Sequence, residues 1–230
     1  PVIHLDSPEP LNRPLTLKDF MPATPLTIDI VSDVVCPWCY IGKRKLEAAL
    51  ALPGASDLPD VQIRWHPFQL NPDLPESGMP RKQYLEDKFG GPQRAAEIYA
   101  RVHAAGASVG LDLNFGGIQT QANTLAAHAL IAFAQASPDN GPDNAVGNDV
   151  KERLLKAYFV ENRFIGDYDV LADIATQAGL DGDAARRFVS DPVQRDAISQ
   201  ADAQARQMGV TGVPFFIFNQ KVAVSGAQDP

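Results

Sequence analysis

Two cysteines lie three positions apart in this sequence, in the order Cys36-Pro37-Trp38-Cys39, and the chain of 230 residues contains no others. One small bridge stabilises a fold little, so these sulfurs indicate redox chemistry or metal binding. The flanking sequence predicts a strand before the pair and a helix that begins at it. Because unpaired N–H groups and the positive end of a helix dipole favour a thiolate, we predict a pKa of Cys36 below that of free cysteine.

The spacing of the two sulfurs assigns a role to each. Residues three apart on a helix share a face, so Cys39 is expected beneath Cys36, within bridging distance and hidden from solvent. Cys36 is therefore the candidate nucleophile and Cys39 the candidate resolving cysteine. Pro37 suits the first helical turn, and Trp38 is expected to face outward and offer a substrate chain an apolar surface. Asp33 would oppose thiolate formation if it lay close, and it is assigned no role.

Two other roles for the cysteine pair stay open at the level of sequence. A structural zinc site needs four ligands, and the remaining candidates are four histidines without a second cysteine pair or a paired-histidine spacing. These histidines are His4, His66, His103 and His128. Free cysteines are also often buried and inert, although a position between a strand and a helix argues against that role. We expect no metal.

A second candidate segment opens a strand late in the chain, at Val213-Pro214. Proline cannot donate to a strand ladder, so Pro214 at the start of a central strand is expected only where its own geometry is needed. A cis Val213–Pro214 bond fits that need. The Val213 backbone is then free to pair with an extended peptide beside the sulfurs. An ordinary edge-strand proline is the alternative.

The spacing of apolar residues along the chain predicts the strands and helices that position these candidate residues. Alternating or short apolar runs predict strands, and apolar residues at helical spacing predict helices. The opening order of strand, helix and strand favours a parallel pair. The predicted elements are strands at 26–32, 61–70, 213–218 and 221–224, a helix at 40–52, and a helical block from 79 to 208. The sequence therefore predicts an α/β domain that is split in two by a helical insertion.

The charge and composition of the chain argue against several classes of partner. The net charge of -8, from 20 Lys and Arg against 28 Asp and Glu, argues against nucleic acid and anionic membranes as partners. Charge or proline interrupts every apolar run, so no membrane span is expected. Residues 1–25 carry six prolines and are predicted to be an extended arm. Because the N-terminal segment does not resemble a secretory signal, we expect a cytoplasmic protein.

This sequence resembles the DsbA-like thiol oxidoreductases of the thioredoxin fold, and most closely their cytoplasmic FrnE-like branch. The resemblance rests on the Cys-Pro-Trp-Cys motif at a helix start, the long helical insertion and Gly-Val-Pro before a hairpin. The segments that carry it are 29–45, 66–74, 123–128, 157–167 and 209–228.

The resemblance implies a thioredoxin fold, formed by residues 26–78 and 209–230, with a large all-helical domain inserted at 79–208. It also implies a protein dithiol–disulfide oxidoreductase or isomerase, with Cys36 as nucleophile, Cys39 as resolver and Val213–Pro214 as a cis-proline loop. The implied partners are protein thiols or disulfides. Glutathione is a candidate redox partner, and no tightly bound cofactor is implied.

The same superfamily supplies the alternative function. It includes glutathione-dependent 2-hydroxychromene-2-carboxylate isomerases and kappa-class glutathione transferases, in which serine usually replaces the first cysteine. Cys36 argues against those small-molecule activities, which nevertheless stay the alternative. A binding module that acts as a chaperone also stays open. His128 is interpreted as a core histidine, although it could line the cleft and tune a proton.

Overall fold

The computed structural model describes residues 25–230. The predicted proline-rich arm, residues 1–25, lies outside the described residues except for its last position. The fold contains a four-stranded sheet in the order β2-β1-β5-β6 and a two-stranded pair, β3-β4. The strands are β1 (Leu26–Ser32), β2 (Val61–Pro67), β3 (Met79–Pro80), β4 (Thr120–Gln121), β5 (Phe215–Phe218) and β6 (Val222–Ser225).

The main sheet joins the two ends of the described chain. Strands β1 and β2 are parallel, as predicted, and β5 pairs antiparallel with β1 on its other side. The predicted hairpin of β5 and β6 is confirmed. Three residues, 219–221, connect the strands, so β6 begins one residue later than predicted. Asn219 and Gln220 have left-handed φ angles of 50° and 56°, and the Lys221 N–H donates to the Phe218 carbonyl at 2.9 Å, which closes a tight turn. Strand β5 begins at Phe215, two residues later than predicted, because Val213 and Pro214 lie before the ladder.

Helices fill most of the chain between β2 and β5. They are α1 (Pro37–Leu50), α2 (Arg81–Phe89), α3 (Pro92–Ala107), α4 (Leu125–Gln135), α5 (Ala145–Phe159), α6 (Tyr168–Gln177), α7 (Gly182–Ser190) and α8 (Pro192–Gln207). The prediction of helix almost throughout 79–208 misses the pairing of β3 with β4. A proline restricts the residue before it to extended backbone, so Met79 cannot extend α2 backward through Pro80.

One hydrophobic core connects the sheet with the helices. Ile28 and Ile30 of β1 are buried in the same cluster as Leu154 of α5. On the other face of the sheet, Val31 packs in a second cluster with Ala205 of α8. This is the α/β thioredoxin fold with a helical insertion. The division into residues 26–78 with 209–230 and residues 79–208 stays a prediction.

A carboxylate ties the cysteine-bearing helix α1 to the helical block. Glu152 of α5 accepts hydrogen bonds from the Tyr40 hydroxyl at 2.7 Å and the Lys43 ammonium at 2.7 Å, and it pairs with Arg44. Three residues of α1 therefore share one partner on α5, which fixes the orientation of the two helices. Within residues 25–230, no helix is both long enough and apolar enough to cross a lipid bilayer.

Candidate active site

The two cysteines lie at the N-terminus of α1. Cys36 is the capping residue, with extended backbone angles (φ -95°, ψ 112°), and Pro37 is the first helical residue. The Cys39 N–H donates to the Cys36 carbonyl at 3.0 Å. Both thiols are free, and the exposed fractions of Cys36 and Cys39 are 4% and 2%. Solvent exposure therefore does not distinguish them, although the spacing predicted a more hidden Cys39.

The Val213–Pro214 segment faces the first cysteine across the site. The peptide bond between these two residues is cis, the geometry that the sequence predicts. The Cys36 thiol donates to the Val213 carbonyl, with 3.7 Å between sulfur and oxygen. Among residues 25–230, the Val213 N–H donates to no acceptor. The fold thus brings together the two segments that the sequence singled out.

Helix α1 approaches the Val213–Pro214 segment closely at Gly42. A Cβ atom at this position would lie 2.9 Å from Pro214 Cγ and 3.2 Å from Phe216 Cζ. Carbon atoms this close repel each other, so any side chain at Gly42 must displace α1 or the loop. The glycine therefore permits the short distance between the cysteines and Val213.

We expect Gly42→Ala to lower the free energy of unfolding by about 1–3 kcal/mol, because the added methyl group overpacks the contact with Pro214. Urea denaturation measures this change. Gly54→Ala is the matched control, since a Cβ at Gly54 meets no atom within 4 Å. If both variants unfold at the same urea concentration, the close approach does not constrain the site.

Trp38 lies on the surface beside the cysteines. Its exposed fraction is 40%, the value of an outward-facing side chain, as the sequence predicted. Pro37 is half-buried. These two residues and Val213, which is also half-buried, form the boundary between the buried sulfurs and solvent.

A buried carboxylate lies behind the cysteines. Asp33 is fully buried, and its Oδ2 accepts a hydrogen bond from the Leu70 N–H at 2.7 Å. Its Oδ1 lies 3.3 Å from Nε2 of His128, which is itself buried. Burial acts to raise the pKa of Asp33, but the hydrogen bond and charge of His128 outweigh it and hold that pKa below its usual value. His128 is thus a core histidine that contacts this carboxylate.

A buried lysine is the site residue that the sequence analysis missed. Lys151 of α5 is 1% exposed, and burial lowers its pKa to about 8 although the charges of Cys39 and Asp33 act to raise it. The sequence contained a signal for this position. Lys151 precedes Leu155 and Tyr158 by four and seven residues, the spacing of one helix face, and both of these residues are buried.

The two thiols titrate as a pair. The hydrogen bond with Cys39, together with burial, raises the pKa of the Cys36 thiol well above its ordinary value. Burial acts to raise the pKa of Cys39 too, but the hydrogen bond from Cys36 and the charge of Lys151 outweigh it, so that pKa is lowered. The predicted low pKa of Cys36 in the reduced pair is therefore wrong. The helix terminus acts near both sulfurs, whereas Lys151 favours the thiolate of Cys39.

No metal centre is apparent in the part of the chain that the structure describes. Within residues 25–230, no group of three or more His, Cys, Asp or Glu side chains is arranged to hold a metal ion.

A curated relative and a solved structure are each 28% identical to this chain. The relative is the uncharacterized protein YwbO from Bacillus subtilis, which aligns over 87% of this chain and 90% of its own length. The structure is the probable DsbA oxidoreductase SCO1869 from Streptomyces coelicolor, with a TM-score of 0.74, covering 89% of this chain and 85% of that one.

Two more distant structures share the fold. A 2-hydroxychromene-2-carboxylate isomerase has a TM-score of 0.61 at 15% identity and covers 87% of this chain and 89% of that one. The cytosolic disulfide reductase DsbM from Pseudomonas aeruginosa, in a structure with GSH, has a TM-score of 0.56 at 17% identity and covers 86% and 89%.

The family model of the DSBA-like thioredoxin domain matches residues 27–230. This match includes the cysteine pair, the helical block and the Val213–Pro214 segment. The chain belongs to the DSBA-like thioredoxin domain family.

Proposed function

We propose that this protein is a thiol–disulfide oxidoreductase that acts on protein substrates through Cys36 and Cys39. The observation that carries the proposal is the arrangement at the start of α1, where the Cys36 thiol lies beside its partner cysteine and 3.7 Å from the Val213 carbonyl. A cysteine pair at a helix N-terminus suits thiolate formation and reversible bridging. Membership in the DSBA-like family supports redox chemistry at this pair.

The proposed cycle begins when the Cys36 thiolate attacks one sulfur of a substrate disulfide. A mixed disulfide forms, and the other substrate sulfur leaves and takes up a proton. Cys39 then attacks the Cys36 sulfur, the bond between Cys36 and the substrate breaks, and the second substrate thiol leaves. The substrate has gained two electrons and two protons, and the protein holds a Cys36–Cys39 disulfide. The reverse steps oxidise a substrate dithiol.

The surroundings of the sulfurs support these roles. The Cys36 thiol contacts Val213, which is half-buried and borders solvent. Cys39 is instead influenced by the charge of Lys151, which is fully buried. A substrate disulfide therefore reaches Cys36 first. Attack requires a thiolate on Cys36, and the hydrogen bond between the two sulfurs provides a route by which its proton passes to Cys39.

Substrate docking is proposed at the surface beside the sulfurs. The free Val213 N–H can pair with the backbone of an extended peptide, a mode of recognition that tolerates many sequences. Trp38 and Pro37 offer an apolar surface to the substrate side chains, and Pro214 holds the segment in place. These contacts favour unfolded or extended protein segments as substrates.

Glutathione is the proposed redox partner. Two glutathione molecules reduce the Cys36–Cys39 disulfide and leave as glutathione disulfide. The DsbM structure with GSH shows that a protein of this fold accommodates glutathione. The proposal needs no tightly bound cofactor. The cytoplasmic location stays a prediction of the sequence.

Equilibration of the protein in buffers with graded ratios of glutathione to glutathione disulfide tests the proposal. We expect one two-electron transition between the dithiol and the intramolecular disulfide, measured by acid quenching, alkylation and mass spectrometry. The protein should also catalyse reduction of insulin by glutathione. Two cysteines that never bridge, or that take up a stoichiometric zinc ion instead, would contradict the proposal.

A further inference from the structure

An open cavity lies between helix α8 and the face of the main sheet that this helix covers. Its volume is about 490 Å³, within the range of about 300–1,000 Å³ that is typical of sites for small organic ligands. The apolar part of its lining comes from Val31, Ala201, Ala205, Met208 and Ile217. The cavity is therefore large enough and apolar enough to hold a small organic molecule.

Small side chains on α8 keep this space open. Ala201 and Ala205 lie one helical turn apart, so both face the cavity from the same side of the helix. Met208 follows at the end of this helix and is 70% exposed, so it borders the cavity without closing it. The sheet is thus left partly uncovered beside its middle strands, β1 and β5.

The floor of the cavity carries a buried carboxylate. Asp29 of β1 points to the same sheet face as Val31, because side chains two positions apart on a strand share a face. The Asp29 side chain is 11% exposed, and its Oδ1 lies 2.8 Å from Nε2 of His66, whose side chain is 45% exposed. Among the described residues, no group donates a hydrogen bond to Asp29 Oδ2. One carboxylate oxygen is therefore available to a ligand.

His66 is the one side chain of residues 25–230 that pairs with the Asp29 carboxylate. Arg64 lies opposite Asp29 in the ladder with β2, but it is exposed and forms no ion pair with Asp29. The other polar lining residues, Gln204 and Gln220, are uncharged. A neutral His66 donates a hydrogen bond to the carboxylate and leaves its negative charge in place. The cavity thus combines an apolar wall with an anionic floor.

We propose that this cavity binds a small organic cation that carries an ammonium group on an apolar body. The ammonium donates a charge-assisted hydrogen bond to Asp29 Oδ2, and the apolar body packs against Val31, Ala205 and Met208. The net charge of -8 also favours a cation over an anion as the ligand. Aralkylamines combine the required size, charge and apolar surface.

The proposed site is separate from the cysteine pair. Helix α1 packs on the other face of the sheet, where Tyr40 and Ile41 share a buried cluster with Ile28. Val31 and Ala205 belong to the cluster on the α8 face. Binding of the cation therefore goes beyond the proposed redox function and does not require either sulfur.

Titration of the protein with phenethylamine at pH 8, followed by nuclear magnetic resonance, tests the proposal. We expect saturable shifts of the His66 ring protons and the Met208 methyl group, because both side chains line the cavity. The matched probe is 2-phenylethanol, which has the same shape without the charge. Its affinity should be lower by about tenfold or more, since a hydrogen bond to a charged group contributes more than a neutral one.

Asp29→Asn should lower the affinity for phenethylamine by the same factor and leave the affinity for 2-phenylethanol unchanged. Asparagine keeps the size of the side chain and an oxygen that can accept from His66. Asp196→Asn is the matched control on α8, because Asp196 is exposed and accepts a hydrogen bond from Gln200 at 2.7 Å outside the cavity. An equal loss in both variants would overturn the proposal, since general attraction by negative charge would then explain the binding.

The comparison of the two probes on the wild-type protein covers the case in which Asp29→Asn does not fold. Equal affinities for phenethylamine and 2-phenylethanol would refute a role for the carboxylate. Shifts that do not saturate, or that miss His66 and Met208, would refute the site itself. Neither probe contains sulfur, so the result stands whether or not the protein reduces insulin.

Discussion

Cys36→Ser is expected to reduce catalysed disulfide exchange by more than about a thousandfold, to the rate without protein. A serine oxygen cannot form the mixed disulfide, and its pKa is too high for it to act as a nucleophile at neutral pH. Substrate is proposed to dock beside Val213, which the Cys36 thiol contacts, so the buried Cys39, at 2% exposure, is not expected to take over the attack. Reduction of insulin by glutathione, followed by turbidity, measures the loss.

The controls for this variant separate chemistry from folding. Far-ultraviolet circular dichroism and urea denaturation should match the wild type, because serine is close to cysteine in size. Trp38→Ala is a second reference, since loss of its exposed apolar surface should weaken substrate binding and leave the sulfur chemistry intact. Substantial insulin reduction by Cys36→Ser would exclude Cys36 as the nucleophile.

Cys39→Ser is expected to trap substrate as a mixed disulfide on Cys36. The first attack survives, because the Cys39 hydrogen bond that chiefly raises the pKa of Cys36 is weakened or lost. The second attack cannot occur without the resolving sulfur, so the mixed disulfide persists until an external thiol cleaves it. Turnover should fall by more than about a hundredfold while covalent adducts accumulate. Nonreducing electrophoresis and mass spectrometry detect these adducts.

The Cys39 variant also discriminates the proposed activity from its alternative. A glutathione-dependent isomerase or transferase needs one reactive side chain, so its small-molecule turnover should survive the loss of Cys39. A binding module that suppresses aggregation should work equally well with both cysteines replaced. If Cys39→Ser yields no adduct with a reactive disulfide such as glutathione disulfide, the two-step cycle is wrong.

Local sequence predicted the elements that carry the sulfurs. Strand β1 has the predicted bounds, because an alternating apolar run matches the period of a half-buried strand. Helix α1 begins at Pro37, directly after Cys36, where proline is favoured. The hairpin of β5 and β6 follows from the turn at Asn219 and Gln220. Each of these features depends on residues that are close together in the chain, so the sequence was sufficient to predict it.

Features that are set by contacts between distant segments were harder to predict from the sequence. The end of β2 came three residues earlier than the predicted position 70, and the short pairing of β3 with β4 was missed. Both β3 and β4 are only two residues long, too short for any periodic pattern. Their pairing is set by the register of distant segments rather than by local preference.

The sequence by itself determined that a reactive cysteine pair begins a helix and that Val213–Pro214 opens a later strand. Only the tertiary structure decided how the pair is charged. The sequence predicted the low pKa on Cys36, and the fold places it on Cys39, because the hydrogen bond from Cys36 lowers the pKa of Cys39 and the charge of Lys151, from a helix more than a hundred residues away, adds to that effect. Electrostatic energies vary with the distance between charges and with burial. Those quantities arise when α5 packs against α1, and no local pattern encodes them.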